Sequence, residues 1–286
     1  MTGVQTCALP ILDRVWGSVF SYSKENSLRT WPRRLRYPIT VTFGPRMDAN
    51  ASAAQVRQAV VELGADAFPH RKTKRDTLPE RFLQVARKRW GQFAMADSTG
   101  RELTYGRLAV ASVLLSDWTK RSSRPGEHIG VVSPSTCGGA IVNIGILLAG
   151  RVPVNLNFTA GREAMQSAIE QCGMRTILTS KVFLAKAKLE QEAGMVFLED
   201  ILKSVTGIAK LWGLLRARLA PVASLVARRD PDAPATVLFS SGSTSLPKGI
   251  VLSHFNVVSN CDAVLDRKST RLNSSHIPLS RMPSSA

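Results

Sequence analysis

The sequence predicts an α/β fold with a largely parallel sheet and flanking helices, and three observations carry that expectation. Strand-like and helix-like segments alternate regularly from residue 78 to residue 179, as crossover connections between parallel strands require. Hydrophobic residues make up 44% and charged residues 21% of the 286, the balance of a chain able to bury a core rather than of a disordered one. The most apolar stretch, 139–150, is interrupted by Asn143 and is far shorter than the roughly 20 residues of a membrane-crossing helix.

Taken in order, the run 37–44 (YPITVTFG) is β-branched and closed by Gly44-Pro45, which predicts a strand and its stop. Residues 51–63 then place Ala54, Val56, Val60, Val61 and Leu63 at helical spacing. Residues 70–75 read HRKTKR, a basic polar bridge with nothing to bury, expected as a linker rather than as a nuclear or nucleic-acid signal. Beyond it come an amphipathic helix over 78–90 and a short strand over 93–97. The turn formers Ser98, Thr99 and Gly100 lead into Leu103-Thr104-Tyr105. A helix over 105–119, the turn Pro125-Gly126, a strand over 128–133 and a helix over 136–149 follow. After Gly150 the pattern continues with a strand over 151–156, a helix over 160–172 and a strand over 176–179.

Residues 201–229 have another character, mixing Ile201, Ile208, Leu211, Trp212, Leu214, Leu215 and Leu219 with Lys203, Lys210, Arg216, Arg218, Arg228 and Arg229. The plainer expectation is a surface helix packed on its own domain. The sharper one is a basic amphipathic helix lying on an anionic membrane surface.

The formal charge of +17 selects a polyanionic partner such as a nucleotide, a nucleic acid or an anionic membrane. No nucleic-acid-binding module or aromatic-basic platform accompanies it, so nucleic acid is not expected. Cys7, Cys137, Cys172 and Cys261 lack metal-ligand spacing and are expected to be reduced thiols of a cytoplasmic protein. The N-terminus shows no secretory signal pattern.

The run 236–250 (TVLFSSGSTSLPKGI) carries the chemistry. An apolar strand breaks into Ser240, Ser241, Gly242, Ser243, Thr244 and Ser245, then Pro247, Lys248 and Gly249. Hydroxyl donors, a glycine that admits close backbone approach and a mobile ammonium together suit a polyphosphate. The other common phosphate loop needs Gly-Lys before Ser or Thr, and a serine-hydrolase elbow needs Gly-x-Ser-x-Gly; neither spacing is present.

This run resembles the signature of the adenylate-forming superfamily, which includes acyl-CoA synthetases, peptide-synthetase adenylation domains and luciferases, and it continues into Ser253-His254-x-Asn256 as theirs does. Ser245 stands where that signature usually has a second glycine. Leu103-Thr104-Tyr105, Gly126 with Ile129-Gly130-Val131, Pro134, Leu148-Ala149-Gly150 and Val152-Pro153-Val154-Asn155-Leu156-Asn157 fall in the family's order, so the resemblance covers about 77–266. It implies ATP with Mg²⁺, attack of a carboxylate on the α-phosphate and transfer of the acyl group to a thiol. Ser241, Ser243, Thr244 and Lys248 would hold the β- and γ-phosphates, with Ser240, Gly242, Ser245 and Gly249 completing the loop. The family's metal-binding Glu, ribose-binding Asp and late catalytic Lys are expected beyond the C-terminal end of this chain. No catalytic residue is therefore assigned, and the chain as written is expected to turn over little.

Residues 12–44, with LDRVWGSVFSYS and WPRRLRYPITVTFG, and the helix after them resemble the end of a glycerophospholipid acyltransferase domain fused to an acyl-ACP synthetase, as in bacterial bifunctional lysophospholipid-reacylating enzymes. That resemblance implies a fatty acid, acyl carrier protein and a lysophospholipid or anionic membrane as partners, at the cytoplasmic side of the inner membrane. The acyltransferase motif His-x4-Asp is not met: His70 precedes Asp76 with five residues between them. His128 is expected to be structural and His254 to be satisfied near its helix start. Runs 1–11 and 267–286 resemble translated sequencing adaptor, and the second, rich in Ser, Arg and Pro, is expected to be disordered. The resulting division is 1–11 foreign, 12–69 acyltransferase end, 70–76 linker, 77–266 adenylation domain and 267–286 foreign tail. A fatty acyl-CoA ligase, with coenzyme A as acceptor, and a non-catalytic nucleotide- or membrane-binding remnant are the alternatives.

Overall fold

Hydroxyl side chains start many of the helices. Thr104 accepts from the Arg107 amide, Thr136 from Gly139, Ser180 from Phe183 and Thr206 from Ala209, each engaging an amide that a helix start leaves unpaired. The computed structural model describes residues 7–13, 39–73, 77–227, 230–239 and 247–273. The chain forms two compact units, Met1–Thr73 and Lys74–Ala286.

In the first unit β1 (Cys7–Asp13) pairs antiparallel with β2 (Thr40–Met47), and α1 (Ala53–Ala67) follows, capped reciprocally by Ser52 and Gln55. The strand expected over 37–44 lies at Thr40–Met47, and β1 begins inside the run set aside as foreign. Backbone pairing with β2 makes that strand, and such pairing requires no apolar period of its own.

The second unit runs α2 (Leu78–Lys88), β3 (Phe93–Ala96), β4 (Glu102–Thr104), α3 (Tyr105–Ser122), β5 (His128–Val131), α4 (Cys137–Leu148), β6 (Val152–Asn155), α5 (Arg162–Cys172), β7 (Ile177–Thr179), α6 (Lys181–Ala187), β8 (Met195–Phe197), α7 (Leu198–Ser204), α8 (Gly207–Leu219), α9 (Val222–Leu225), β9 (Pro234–Phe239), β10 (Gly249–Ser253) and α10 (His254–Asn273). Six strands form a sheet in the order β10-β9-β6-β5-β7-β8, parallel except for β10, which runs antiparallel to β9; β3 and β4 form a separate hairpin. Ile129, Val131, Val154, Ile177 and Leu178 are all at most 2% exposed, which is why β5, β6 and β7 read as apolar runs rather than alternating ones. The expected basic helix of 201–229 is instead broken into the end of α7, then α8 and α9. Thr206 caps a new start, and Pro221, which has no amide to donate, follows α8. α10 runs through Asn273, past the boundary expected at 266.

Leucines of α3 fit against glycines on both neighbouring helices. A Cβ on Gly145 of α4 would lie 2.9 Å from Leu115 Cδ2, and one on Gly213 of α8 would lie 2.7 Å from Leu114 Cδ2. Arg151, just before β6, is 6% exposed. Its guanidinium donates to the carbonyls of Lys120, Ser123 and Ala149 and to Ser123 Oγ.

Asp97, after β3, accepts from the Thr99 hydroxyl and amide and, at 2.9 Å, from the Cys137 amide that opens α4. The Thr99 hydroxyl first, and the Cys137 amide after it, hold this carboxyl well below the usual carboxylate range. With the folded value depressed, its contribution is complete above the unfolded pKa of about 4 and is lost as pH falls toward the folded value. Asp97→Asn should therefore lower the thermal midpoint at pH 7 and narrow the gap to wild type as the pH drops below about 4. Thermal melts at stepped pH read this, and a gap that does not depend on pH would count against it.

Candidate functional site

β9 is an inner strand between β6 and β10. Val237 is 2% exposed and pairs with Val154, and the Thr236 hydroxyl donates to the Pro153 carbonyl at 2.9 Å. Because β5 to β9 run parallel, their carboxyl ends share one edge of the sheet, the edge beyond which ligands of open α/β sheets bind. β9 ends at that edge with Phe239 and β10 begins there with Gly249, the two residues paired across the antiparallel strands.

Ser240, Ser241, Gly242, Ser243, Thr244 and Ser245 lie outside the described residues. Lys248 and Gly249 lie inside them. Lys248 is exposed and immediately precedes β10, free to present its ammonium along the carboxyl edge. A Cβ on Gly249 would come within 3.2 Å of both Phe239 Cε1 and Val237 Cγ1, so an alanine there would require those side chains to shift by a few tenths of an ångström. Gln171 of α5 donates from Nε2 to the Pro247 carbonyl at 2.9 Å and tethers the returning arm. Gln171 is remote in the chain and carries no motif, so sequence reasoning missed it.

The Ser-His-x-Asn run past β10 turns out to be a helix start. The Ser253 amide and hydroxyl both donate to Asn256 Oδ1, at 3.0 and 2.9 Å, and the Asn256 amide donates back to Ser253 Oγ at 3.2 Å. His254 is 4% exposed; its Nδ1 accepts from the Leu78 amide at 3.4 Å, and its own amide donates to the Ala233 carbonyl. Where a local partner was expected, the imidazole has a long-range one that ties α10 to the start of α2. His128 Nδ1 lies 3.1 Å from the Cys172 carbonyl, a structural contact. Burial pushes the Cys137 and Cys172 thiols up, away from the thiolate that reactivity needs.

Among the described residues, no cluster of three or more His, Cys, Asp or Glu is placed to hold a metal. The exposed lysine at the carboxyl edge fits an anionic polyphosphate, and Mg²⁺ would accompany that ligand. A cavity of about 530 Å³ lies among α3, α4, α6 and α7, with Ser133 and Ser180 after β5 and β7 on its wall. It includes neither Lys248 nor Gly249.

A mostly parallel sheet with an exposed lysine where β10 begins at its carboxyl edge is the frame of α/β proteins that bind ligands beyond that edge. The chain belongs to the AMP-binding enzyme family, whose model matches residues 82–285, and its fold is that of the N-terminal part of an adenylate-forming domain. It is 33% identical over 168 residues to the beauvericin nonribosomal cyclodepsipeptide synthetase of Beauveria bassiana, covering 58% of this chain and 5% of that one. It is 30% identical over 182 residues to a cyclosporin synthetase of Tolypocladium inflatum, covering 62% and 1%. Among solved structures, the AMPPNP-bound nonribosomal peptide synthetase FmoA3 superposes with a TM-score of 0.54 at 26% identity, over 68% of this chain and 19% of that one. VinN has a TM-score of 0.54 at 21% identity, over 66% and 50%, a likeness of fold. The chain thus spans a small fraction of the curated relatives it matches.

Proposed function

We propose that this chain supplies the ATP-binding part of an enzyme that activates a carboxylic acid as its acyl-adenylate and passes the acyl group to a thiol. The reading is supported by β9 ending and β10 beginning at the carboxyl edge of a parallel sheet, with Lys248 exposed there. A carboxylate oxygen bonds to the α-phosphorus as the bond to the bridging oxygen of pyrophosphate breaks, and pyrophosphate leaves; Mg²⁺ bound with the ATP would help neutralise the phosphate charge. A thiolate then bonds to the acyl carbon and AMP leaves. Lys248, with Ser241, Ser243 and Thr244, would hold the β- and γ-phosphates, since positioning and charge neutralisation supply most of such catalysis.

The acid in this proposal is a fatty acid and the thiol that of acyl carrier protein. The whole protein reacylates lysophospholipid from the cytoplasmic side of the inner membrane. The sequence of residues 12–44 and the high positive charge support this reading. Coenzyme A as acceptor is the nearest variant. An amino acid as substrate is the second reading, favoured by the names of the peptide-synthetase relatives.

Titration of the purified chain with a fluorescent ATP analogue should give saturable binding that unlabelled ATP competes away; no binding at millimolar nucleotide would sink the proposal. Sequencing the genomic locus across residues 12–266 separates the two substrates. A reading frame continuing upstream into His-x4-Asp supports the lipid reading, and one flanked by peptide-synthetase modules supports the amino acid.

A further inference from the structure

We propose that α8 is the surface on which this protein lies against an anionic lipid membrane. Ile208, Leu211, Trp212, Leu215 and Leu219 recur at three- and four-residue steps and so fall on one side of the helix. They are 73, 58, 60, 41 and 72% exposed. Another side of α8 is already occupied: Gly213 and Ala217 are buried, and Gly213 sits against Leu114 of α3. The helix therefore packs on its own domain and still presents an apolar stripe to solvent. Contiguous exposed apolar patches on soluble proteins mark sites of association.

Charge selects the occupant. From residue 201 to residue 229 there are six Lys and Arg and no Asp or Glu. Arg216 and Arg218 flank the stripe on α8, while Lys203 of α7 and Lys210, on the side of α8 that lines the cavity described above, are exposed and have no ion pair among the described residues. Arg216 is paired with Asp117 of α3, and Arg218 lies over the Trp90 ring and donates to the Arg87 carbonyl. The nearby acids of α7 are engaged too: Glu199 accepts from the Ser180 hydroxyl and the Lys181 amide, and Asp200 pairs with Lys181. A second copy docked on this face would meet the same positive, acid-free surface. An anionic bilayer offers both apolar depth and negative charge, the combination that an interfacial helix with Trp and Leu beside Lys and Arg matches. At 13 residues, or roughly 20 Å, α8 lies on a bilayer rather than crossing it, and no helix among the described residues is long and apolar enough to cross one.

The inference rests on the lipid-linked reading above, naming the surface that would meet the membrane, and can fail apart from it, because the genomic locus and ATP binding test that reading separately. Sedimentation with phosphatidylcholine vesicles, with and without phosphatidylglycerol, tests it on the purified chain. The expected result is binding that requires phosphatidylglycerol and weakens with salt. Binding should fall about tenfold or more in Leu211→Ser/Trp212→Ser and more mildly in Lys203→Gln/Lys210→Gln, with unchanged melting curves. The proposal is overturned by no binding to phosphatidylglycerol vesicles, or by equal binding of the wild-type chain and the Leu211/Trp212 variant. It is also overturned by a concentration-dependent oligomer of the wild-type chain that this variant abolishes, which would give the stripe to a second copy.

Discussion

Alanine at Lys248 is expected to weaken ATP binding roughly 10- to 100-fold, because a hydrogen bond to a charged group is worth about 1.5–3 kcal/mol and each 1.4 kcal/mol is a factor of ten. Lys248 is exposed and precedes β10, so its truncation removes charge without opening the core. Thermal stability should stay close to that of the wild-type chain, since exposed sites away from buried networks shift stability by only about 0.5 kcal/mol. Arginine at the same position should restore part of the affinity, because it keeps the positive charge while changing the donor geometry. Titration with a fluorescent ATP analogue decides the matter. Equal affinity in the alanine variant would mean that the 236–250 run holds nucleotide by backbone and hydroxyl groups alone, or holds none.

Alanine at Arg151 is expected to destabilise the second unit by about 3 kcal/mol, since each buried acceptor left without a donor costs about 1–3 kcal/mol. The guanidinium reaches the carbonyls of Lys120 and Ser123 at the end of α3 and that of Ala149 at the end of α4. A cation thus closes the carboxyl ends of two helices at once, where the helix dipole also favours positive charge. Burial draws its pKa below the usual arginine value, yet an arginine remains protonated in proteins, so the effect should be flat across neutral pH. Urea unfolding of the two chains reads the difference, and a loss below about 1 kcal/mol would show that water takes over the orphaned carbonyls.

Much of the second unit was legible because helical periods alternate with the apolar runs of β5, β6 and β7, which are buried on both faces. The expected helix over 105–119 became Tyr105–Ser122 and that over 136–149 became Cys137–Leu148, differences at the frayed ends. β10 was hidden in the Pro-Lys-Gly signature: Ile250 and Val251 are 53% and 58% exposed, and strand pairing with β9, not burial, makes them a strand. α6 and β8 lie in a stretch whose short elements, Lys181–Ala187 and Met195–Phe197, are too brief for a period to show. The 201–229 region read as one helix because its apolar and basic residues continue across Thr206 and Pro221; only capping and proline chemistry divides them. For the phosphate loop, residue type and order indicated the ligand class. Its tether, Gln171 on Pro247, and the tie of α10 to α2 through His254 and Leu78 join residues far apart in sequence and have no local signature.

The fit of Leu114 against Gly213 gives α8 a single rotational setting. A turn of the helix by one residue, about 100°, would bring Trp212 or Leu214 to the place where Leu114 leaves no room even for a methyl group. Rolling the helix inward to cover the outward stripe would therefore first have to displace the Leu114 side chain. Like a key held by its notch, α8 keeps its apolar edge turned out whether or not anything is there to receive it.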